Sequence, residues 1–294
     1  MSANTSIEWT DVVWNPVTGC SKVSEGCRHC YAESVAHRFW GARDFTDVQC
    51  HADRLEQPLH WKKPRRIFVN SMSDLFHEDV PDSFIVEVYA VMVAAYQHIF
   101  QVLTKRPDRR RCMFEERSFR EWVGMRAARH INAMRGEHSF NATKNLAAWN
   151  VYGAQNIHEG VSVDDQATAD ERIPILFQSL SVVRWVSAEP LLGPMDLDPY
   201  LSYVGRVLSH GGLNWIVVGG ESGSSARPCD LAWIRSIVEQ CKESGVPVFV
   251  KQLGSKPFYA SGTVGDLVCR AITDRKGGDM AEWPADLRVR EWPR

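Results

Sequence analysis

Short apolar runs alternate along this chain with stretches whose apolar positions fall three or four residues apart, the signatures of buried strands and of helices packed by one face. The runs cover residues 12–19, 66–70, 98–104, 158–163, 182–187, 214–218 and 246–250. Helical spacing lies between them. Ala32, Val35, Ala36 and Phe39 mark a helix over 31–41, and Phe84, Ile85, Val88, Tyr89, Met92 and Val93 mark another that starts near Pro81. Further helices are expected over 167–180 and 231–244, the last capped by Gly245.

About seven short strands separated by helices call for a parallel sheet, because neighbouring parallel strands need long, right-handed crossovers. The expected fold class is α/β, a partial or closed (β/α) barrel of about six to seven parallel strands, with an open doubly wound sheet as the alternative. Polar chemistry recurs after the apolar runs: Thr18 and Cys20, Asn70 to Asp74, Thr104 to Arg106, Ser162 to Asp164, Ser187 and Glu189, Glu221 and Ser222, Lys251 and Gln252. In a barrel these strand ends share one mouth, which favours the barrel reading.

Residues 105–150 break the rhythm with a modest helical pattern (Trp122, Met125, Ile131, Met134) and an excess of base: Arg106, Arg109, Arg110, Arg111, Arg117, Arg120, Arg126, Arg129, Arg135 and Lys144. A helical insertion is expected, its basic side either a solvated face or a phosphate-contacting surface. The segment 270–294, with two Trp-Pro pairs, is expected to be irregular, and residues 1–294 to form one domain.

Composition narrows the class. Hydrophobic content of 44% and charged content of 24% are ordinary for a globular core, and a net charge of −2 gives no global pull toward nucleic acid or membrane. The start of the chain lacks the pattern of a secretion signal, and no apolar run nears the roughly 20 residues of a membrane span. A soluble, cytoplasmic protein with reduced thiols is expected. Of eight cysteines, Cys50, Cys112, Cys229, Cys241 and Cys269 are scattered and expected to be small buried hydrophobes.

The other three, Cys20, Cys27 and Cys30, fall within eleven residues directly after the first run. Three thiolates are one short of the set that closes a structural zinc site or completes the ligation of a cluster. A four-iron cluster held by three cysteines keeps one iron open, to which the amino and carboxylate groups of S-adenosylmethionine could bind. A zinc site would need His29, His37, Cys50 or His51 as fourth ligand, and a Cys27–Cys30 redox pair would leave Cys20 unexplained.

The motifs Trp14-Asn15-Pro16-Val17-Thr18-Gly19-Cys20 and Gly26-Cys27-Arg28-His29-Cys30-Tyr31-Ala32 resemble the phage gp-thirty-seven/gp-sixty-eight family, a radical-SAM-like group of unestablished reaction. So do Phe68 to Phe76, Val102 to Pro107, Gly160 to Val163, Ser187 to Leu192, Gly219 to Gly223, Arg227-Pro228 and Lys251 to Gly254. The six-residue gap between Cys20 and Cys27 departs from the three-residue gap usual in the radical SAM superfamily. The resemblance implies a 4Fe-4S cluster on Cys20, Cys27 and Cys30, S-adenosylmethionine as cofactor, and a reducing electron donor of the flavodoxin or ferredoxin type. It further implies that Ser71, Ser73 and Asp74 approach the methionine amino group and His29 the adenine. Ser162 and Arg172 would approach the ribose or carboxylate, and Glu189 the ribose or substrate. Lys105, Arg106 and Gln252 would face substrate, with Glu221, Lys251 or Cys229 as proton or hydrogen donor.

The resulting expectation is an enzyme that abstracts hydrogen through a 5′-deoxyadenosyl radical, its substrate a nucleic acid or nucleotide undergoing modification or repair. Two other classes compete: a nucleic-acid-binding protein in which the cysteines hold a structural metal, and a zinc-dependent hydrolase.

Overall fold

Pro16 divides the first apolar run. Its nitrogen has no hydrogen to give a ladder, so β1 stops at Val12–Trp14 and the chain resumes as β2 (Val17–Thr18). In the computed structural model, which describes residues 5–134, 136–202, 211–260, 267–269 and 272–293, β1 pairs in parallel with β4 (Arg66–Val69). β2 pairs antiparallel with β3 (Gln49–Cys50). Arg135 and the side chain of Cys269 lie outside the described residues.

The remaining runs form β5 (Ile99–Thr104), β6 (Ile157–Val163), β7 (Arg184–Ala188), β8 (Trp215–Gly219) and β10 (Val248–Gln252). β9 (Cys229–Asp230), β11 (Pro257–Ala260) and β12 (Leu267–Cys269) make a separate three-stranded sheet that the apolar pattern did not reveal. The seven parallel strands follow the order β1-β4-β5-β6-β7-β8-β10. This order keeps chain order throughout. A doubly wound sheet reverses at a switch point, so the topology is that of a (β/α) barrel, left open with β1 and β10 as edges.

The chain divides into two compact units: Met1–Ser21, Val35–Gly160 and Gln178–Val183 in the first, Lys22–Ser34, Val161–Phe177 and Arg184–Arg294 in the second. Both are assembled from pieces that alternate along the sequence, and β6 begins in one and ends in the other.

In the first unit α2 (Asp82–Ala94) is apolar on most sides and buries nine residues from Ile85 to Ala94, as a central helix must. The segment after β5 is helical: α3 (Pro107–Glu115), α4 (Arg117–Asn132) and α5 (Glu137–Tyr152). Its buried stripe on α4 is Phe119, Val123, Ala127 and Ile131, spaced by four. Trp122 and Met125, expected in that stripe, lie off it and are 49% and 58% exposed.

The insertion's arginines largely find partners within the unit. Arg110 is buried against Glu159 at 3.0 Å, and Arg109 donates to Val80 O and to Asp82 at 2.6 Å. Arg120 donates to Trp149 O, while Arg111, Arg117 and Arg126 pair with acids on the surface.

The second unit carries α6 (Gln166–Leu176) and α7 (Leu231–Ser244). Asp165 and Thr168 form a capping box on α6, which ends earlier than expected. The residues beyond it turn back through Ser181, whose hydroxyl serves backbone carbonyls of the first unit's own strand region, Ile157 and Val183. Gly245 caps α7 at φ 72°, as expected. The irregular closing segment packs into this unit: Trp283 and Leu287 are buried, and Glu291 O accepts the Trp215 indole N–H at 2.8 Å.

The helix after the cysteine loop, α1 (Tyr31–Phe39), buries Ala32 and Ala36 and exposes Tyr31, Val35 and Phe39, so the expected four-residue face is split by size. Burial of the scattered cysteines holds for Cys229 and Cys241. Cys50 and Cys112 are exposed, one on the short β2–β3 ribbon and one on the outer side of α3. Among the described residues no helix is long and apolar enough to cross a membrane.

Candidate functional site

Cys20 follows the β1–β2 turn of the first unit, where its N–H donates to Phe45 O at 2.9 Å. Its sulfur is met by Arg106 Nη1 at 3.6 Å. The same guanidinium donates through Nη2 to Ser21 O at 3.1 Å and Ser21 Oγ at 2.8 Å, and through Nε to Glu78 at 3.2 Å. Arg106 is fixed from behind as well: its own N–H donates to Thr104 Oγ1 at 2.8 Å, and Asp74 lies 3.5 Å from Nη1. Burial would lower the Arg106 pKa, but Asp74, the Cys20 sulfur and Glu78 together raise it. A fixed cation thus faces a sulfur, the arrangement that favours a thiolate.

The residues expected to approach a methionine amino group serve the loop itself. Asp74 accepts Thr104 Oγ1 at 2.8 and 3.0 Å, the Lys105 N–H at 2.9 Å and the Phe76 N–H at 2.9 Å. Ser73 Oγ donates to Val17 O at 2.9 Å and Ser71 Oγ to Asn15 Oδ1 at 3.2 Å. Asn70, which turns this loop at φ 61°, tolerates the left-handed region better than most residues and accepts the Val17 N–H at 3.2 Å. Lys105 is half-buried at the same strand end.

In the second unit the Ser24–Cys27 turn is held by Asp164, just past β6. Ser24 Oγ donates to Asp164 Oδ2 at 2.5 Å and the Gly26 N–H donates to the same oxygen at 3.1 Å. A Cβ on Gly26 would lie 2.0 Å from Asp164 Oδ1, so this approach requires glycine. Ser24 Oγ is also 3.8 Å from Cys27 Sγ. Cys30 begins the approach to α1, and burial pushes its thiol up against the opposing pull of the Glu33 and Ala32 N–H groups.

His29 reaches Glu221 through Nδ1 at 3.3 Å. Glu221 is clamped by Arg227, which donates its backbone N–H at 2.7 Å, Nε at 2.9 Å and Nη2 at 2.7 Å. Burial would raise Glu221, yet Arg227 first and His29 second bring it below the usual carboxylate range. Arg227 Nη1 extends to Glu25 O at 3.0 Å and Glu25 Oε1 at 3.2 Å. The cysteine turn is therefore tied to two strand ends, through Asp164 after β6 and through Arg227 after β8.

Beside this stands a second ion pair, Lys251 Nζ with Glu189 Oε1 at 3.1 Å, with Ser187 Oγ donating to Glu189 Oε2 at 3.3 Å. Ser162 Oγ donates to Glu189 O at 3.3 Å, and Arg172, buried, donates to Ser162 O at 2.7 Å. Gln252 Nε2 donates to Gly220 O at 2.8 Å and so shapes the turn after β8. Cys229 lies in the apolar core at 1% exposure, where burial pushes its thiol up to about 12. A thiol so placed packs as a small apolar group.

His29, Glu221, Ser162, Glu189, Lys251 and Gln252 thus share the second unit with Cys27 and Cys30, while Ser71, Ser73, Asp74, Lys105 and Arg106 share the first with Cys20. Sequence reasoning missed Asp164, Ser24 and Gly26 as the anchor of the turn and Arg227 as the clamp on Glu221.

Cys20, Cys27 and Cys30 are half-buried and in no disulfide, and three soft sulfur donors suit an iron–sulfur cluster better than hard cations. Among the described residues no three His, Cys, Asp or Glu side chains stand grouped as metal ligands. The donor chemistry fits the cluster; a preformed cage is not part of the fold described.

A family model described as protein of unknown function, DUF5131, matches residues 4–279. The chain belongs to this family. The resemblance of its motifs to the phage group stays a resemblance beside that membership. No curated protein matches the chain. Two solved structures of spore photoproduct lyase are similar to this DUF5131 chain. One, complexed with dinucleoside spore photoproduct, has a TM-score of 0.43 and 9% identity, covering 74% of this chain and 58% of that one. The other, a cysteine-to-serine mutant, has a TM-score of 0.43 and 10% identity over the same shares. The chain thus spans 58% of the length of these structures.

Proposed function

We propose that this protein is a radical SAM-type enzyme whose Cys20, Cys27 and Cys30 hold a 4Fe-4S cluster. One observation carries the reading: three half-buried cysteines, none in a disulfide, within eleven residues, following the first strand of an open parallel sheet in sequential order. When bound, such a cluster with S-adenosylmethionine supplies reductive cleavage of the sulfonium to a 5′-deoxyadenosyl radical that removes hydrogen from substrate.

The chain's own groups supply the surroundings. Arg106 neutralises charge at Cys20, Asp164 and Gly26 hold the turn that carries Cys27, and Arg227 keeps Glu221 ionised next to His29. Glu221 in that state accepts hydrogen bonds and does not donate them, which suits binding of a hydroxyl or amine. Lys251, paired to Glu189 at 3.1 Å, is the proton donor proposed. A flavodoxin- or ferredoxin-type protein would deliver the electron. The substrate proposed is a nucleic acid or nucleotide, although the insertion offers fewer free cations for it than the sequence count promised, since most of its arginines are paired internally.

The test is anaerobic reconstitution of the full chain followed by iron and sulfide analysis and assay of 5′-deoxyadenosine after reduction. Four irons per chain and reductant-dependent cleavage support the proposal. Zinc in place of iron points to the structural-metal or hydrolase reading, and a cluster that never cleaves S-adenosylmethionine removes the radical mechanism.

A further inference from the structure

Past the end of β1, the first unit contains a cavity of about 380 Å³ lined by Asn15, Thr18, Trp40, Arg43, Arg54 and Met72. Its volume falls in the ~300–1,000 Å³ range of small-molecule sites. The acceptors around it are already used. Asn15 Oδ1 accepts Ser71 Oγ at 3.2 Å and the Met72 N–H at 3.3 Å. Thr18 Oγ1 accepts Arg43 Nη1 at 3.0 Å and is bonded to His51 Nε2 at 2.8 Å. The nearby Asp47 carboxylate is taken up by Arg43 Nε at 3.2 Å and Gln49 Nε2 at 2.6 Å.

What remains is a set of donors. Arg54 spends Nη1 on Asn15 O at 3.2 Å, and among the described residues its Nε and Nη2 make no hydrogen bond. Asn15 Nδ2 is likewise unspent. Burial first, and then the charge of Arg54, hold His51 below its ordinary pKa despite the opposing Asp53. The apolar contribution comes from Met72 and from Trp40, whose ring carries the Arg43 guanidinium 4.1 Å from its centroid.

We propose that this cavity is an anion subsite that takes the phosphate or carboxylate of a small molecule on Arg54 and Asn15, with the molecule's apolar part against Trp40 and Met72. A guanidinium with two unspent donor groups recognises either oxyanion, and among the described residues lining the cavity no carboxylate offers itself to a cation. The inference is independent of the cluster and would hold in the metal-free chain.

Three probes with one ring separate the sources: phenyl phosphate, benzoate and the neutral benzamide, titrated into the full chain and followed by calorimetry. Saturable binding of phenyl phosphate or benzoate is expected, at least about ten-fold tighter than benzamide, a difference of about 1.4 kcal/mol. Phenyl phosphate alone assigns the site to phosphate, benzoate alone to carboxylate. Arg54→Gln should weaken the bound probe about ten-fold, and Arg54→Lys should recover part of the loss, because lysine restores charge without the fork. Benzamide binding as tightly as the anions would overturn the proposal, as would no saturation by any probe. So would unchanged affinity in an Arg54→Gln variant that melts like the parent. Should that variant fold poorly, the comparison of anions with benzamide on the unaltered chain decides.

Discussion

Arg106 touches Cys20, Ser21, Asp74 and Glu78 at once while its side chain is only 9% exposed. Hydrogen bonds to cluster sulfurs are among the features that set reduction potential. Arg106→Gln removes the cation beside Cys20, and its reconstituted cluster should show a lower midpoint potential and faster iron loss than the parent, with Arg106→Lys between them. Identical potentials in a redox titration of all three proteins would assign Arg106 to loop structure alone. The turn around Cys27 depends on a different contact. Gly26→Ala must push aside Asp164, and Asp164→Asn weakens both bonds that hold the turn, so each should cost about 1–3 kcal/mol locally and reduce iron bound per chain with melting temperature nearly kept. Full iron loading in both variants would show that the turn does not need this anchor. Neither contact could be read from the chain. Ser24 and Asp164 are 140 residues apart, and Arg227 and Glu25 are 202 apart. The candidate groups were visible as types at strand ends, but which partner each would spend itself on depends on packing that spacing does not encode.

At the scale of elements, the apolar runs predicted the positions of the parallel strands well, because strands buried on both faces read as continuous apolar stretches. β6 shows the limit of that rule. All seven of its residues are buried, including Glu159, which lies between Tyr89 of α2 at 2.8 Å and Arg110 of α3 at 3.0 Å. This triad joins three elements of the first unit, and it turns Arg110, counted among the basic surface in the sequence, into a core residue. The short β9, β11 and β12 escaped notice for the opposite reason: two to four residues give no period to detect. Glu159→Gln leaves Arg110 as a buried cation without its counter-charge, and should destabilise the protein by about 3–5 kcal/mol in urea unfolding. The double variant Glu159→Gln with Arg110→Met should recover a large part of that loss. A cost under about 1 kcal/mol for the single change would mean that water reaches the triad and screens it.

The stability of the whole molecule inherits a pH dependence from these buried groups. His158, next to Glu159 on β6, is held at about 4 by burial, against an ordinary value of 6.5. His98 and His51 shift the same way, burial again being the first cause. The unfolded chain therefore binds protons on these imidazoles before the folded chain does. Their contribution is complete above about pH 6.5 and declines below it; for His158 it is lost as pH falls toward 4, and the loss amounts to about 3 kcal/mol across that window. Glu221 acts lower on the scale: its depressed carboxyl stabilises the fold above the ordinary carboxylate value of 4.5 and gives that up as pH falls below it. Urea midpoints should thus drop between pH 7 and pH 5, above the range in which Glu221 gives up its contribution. His158→Gln should flatten that part of the profile and leave the steeper decline below pH 4.5, whereas an unchanged slope in the variant would place the acid sensitivity in other groups.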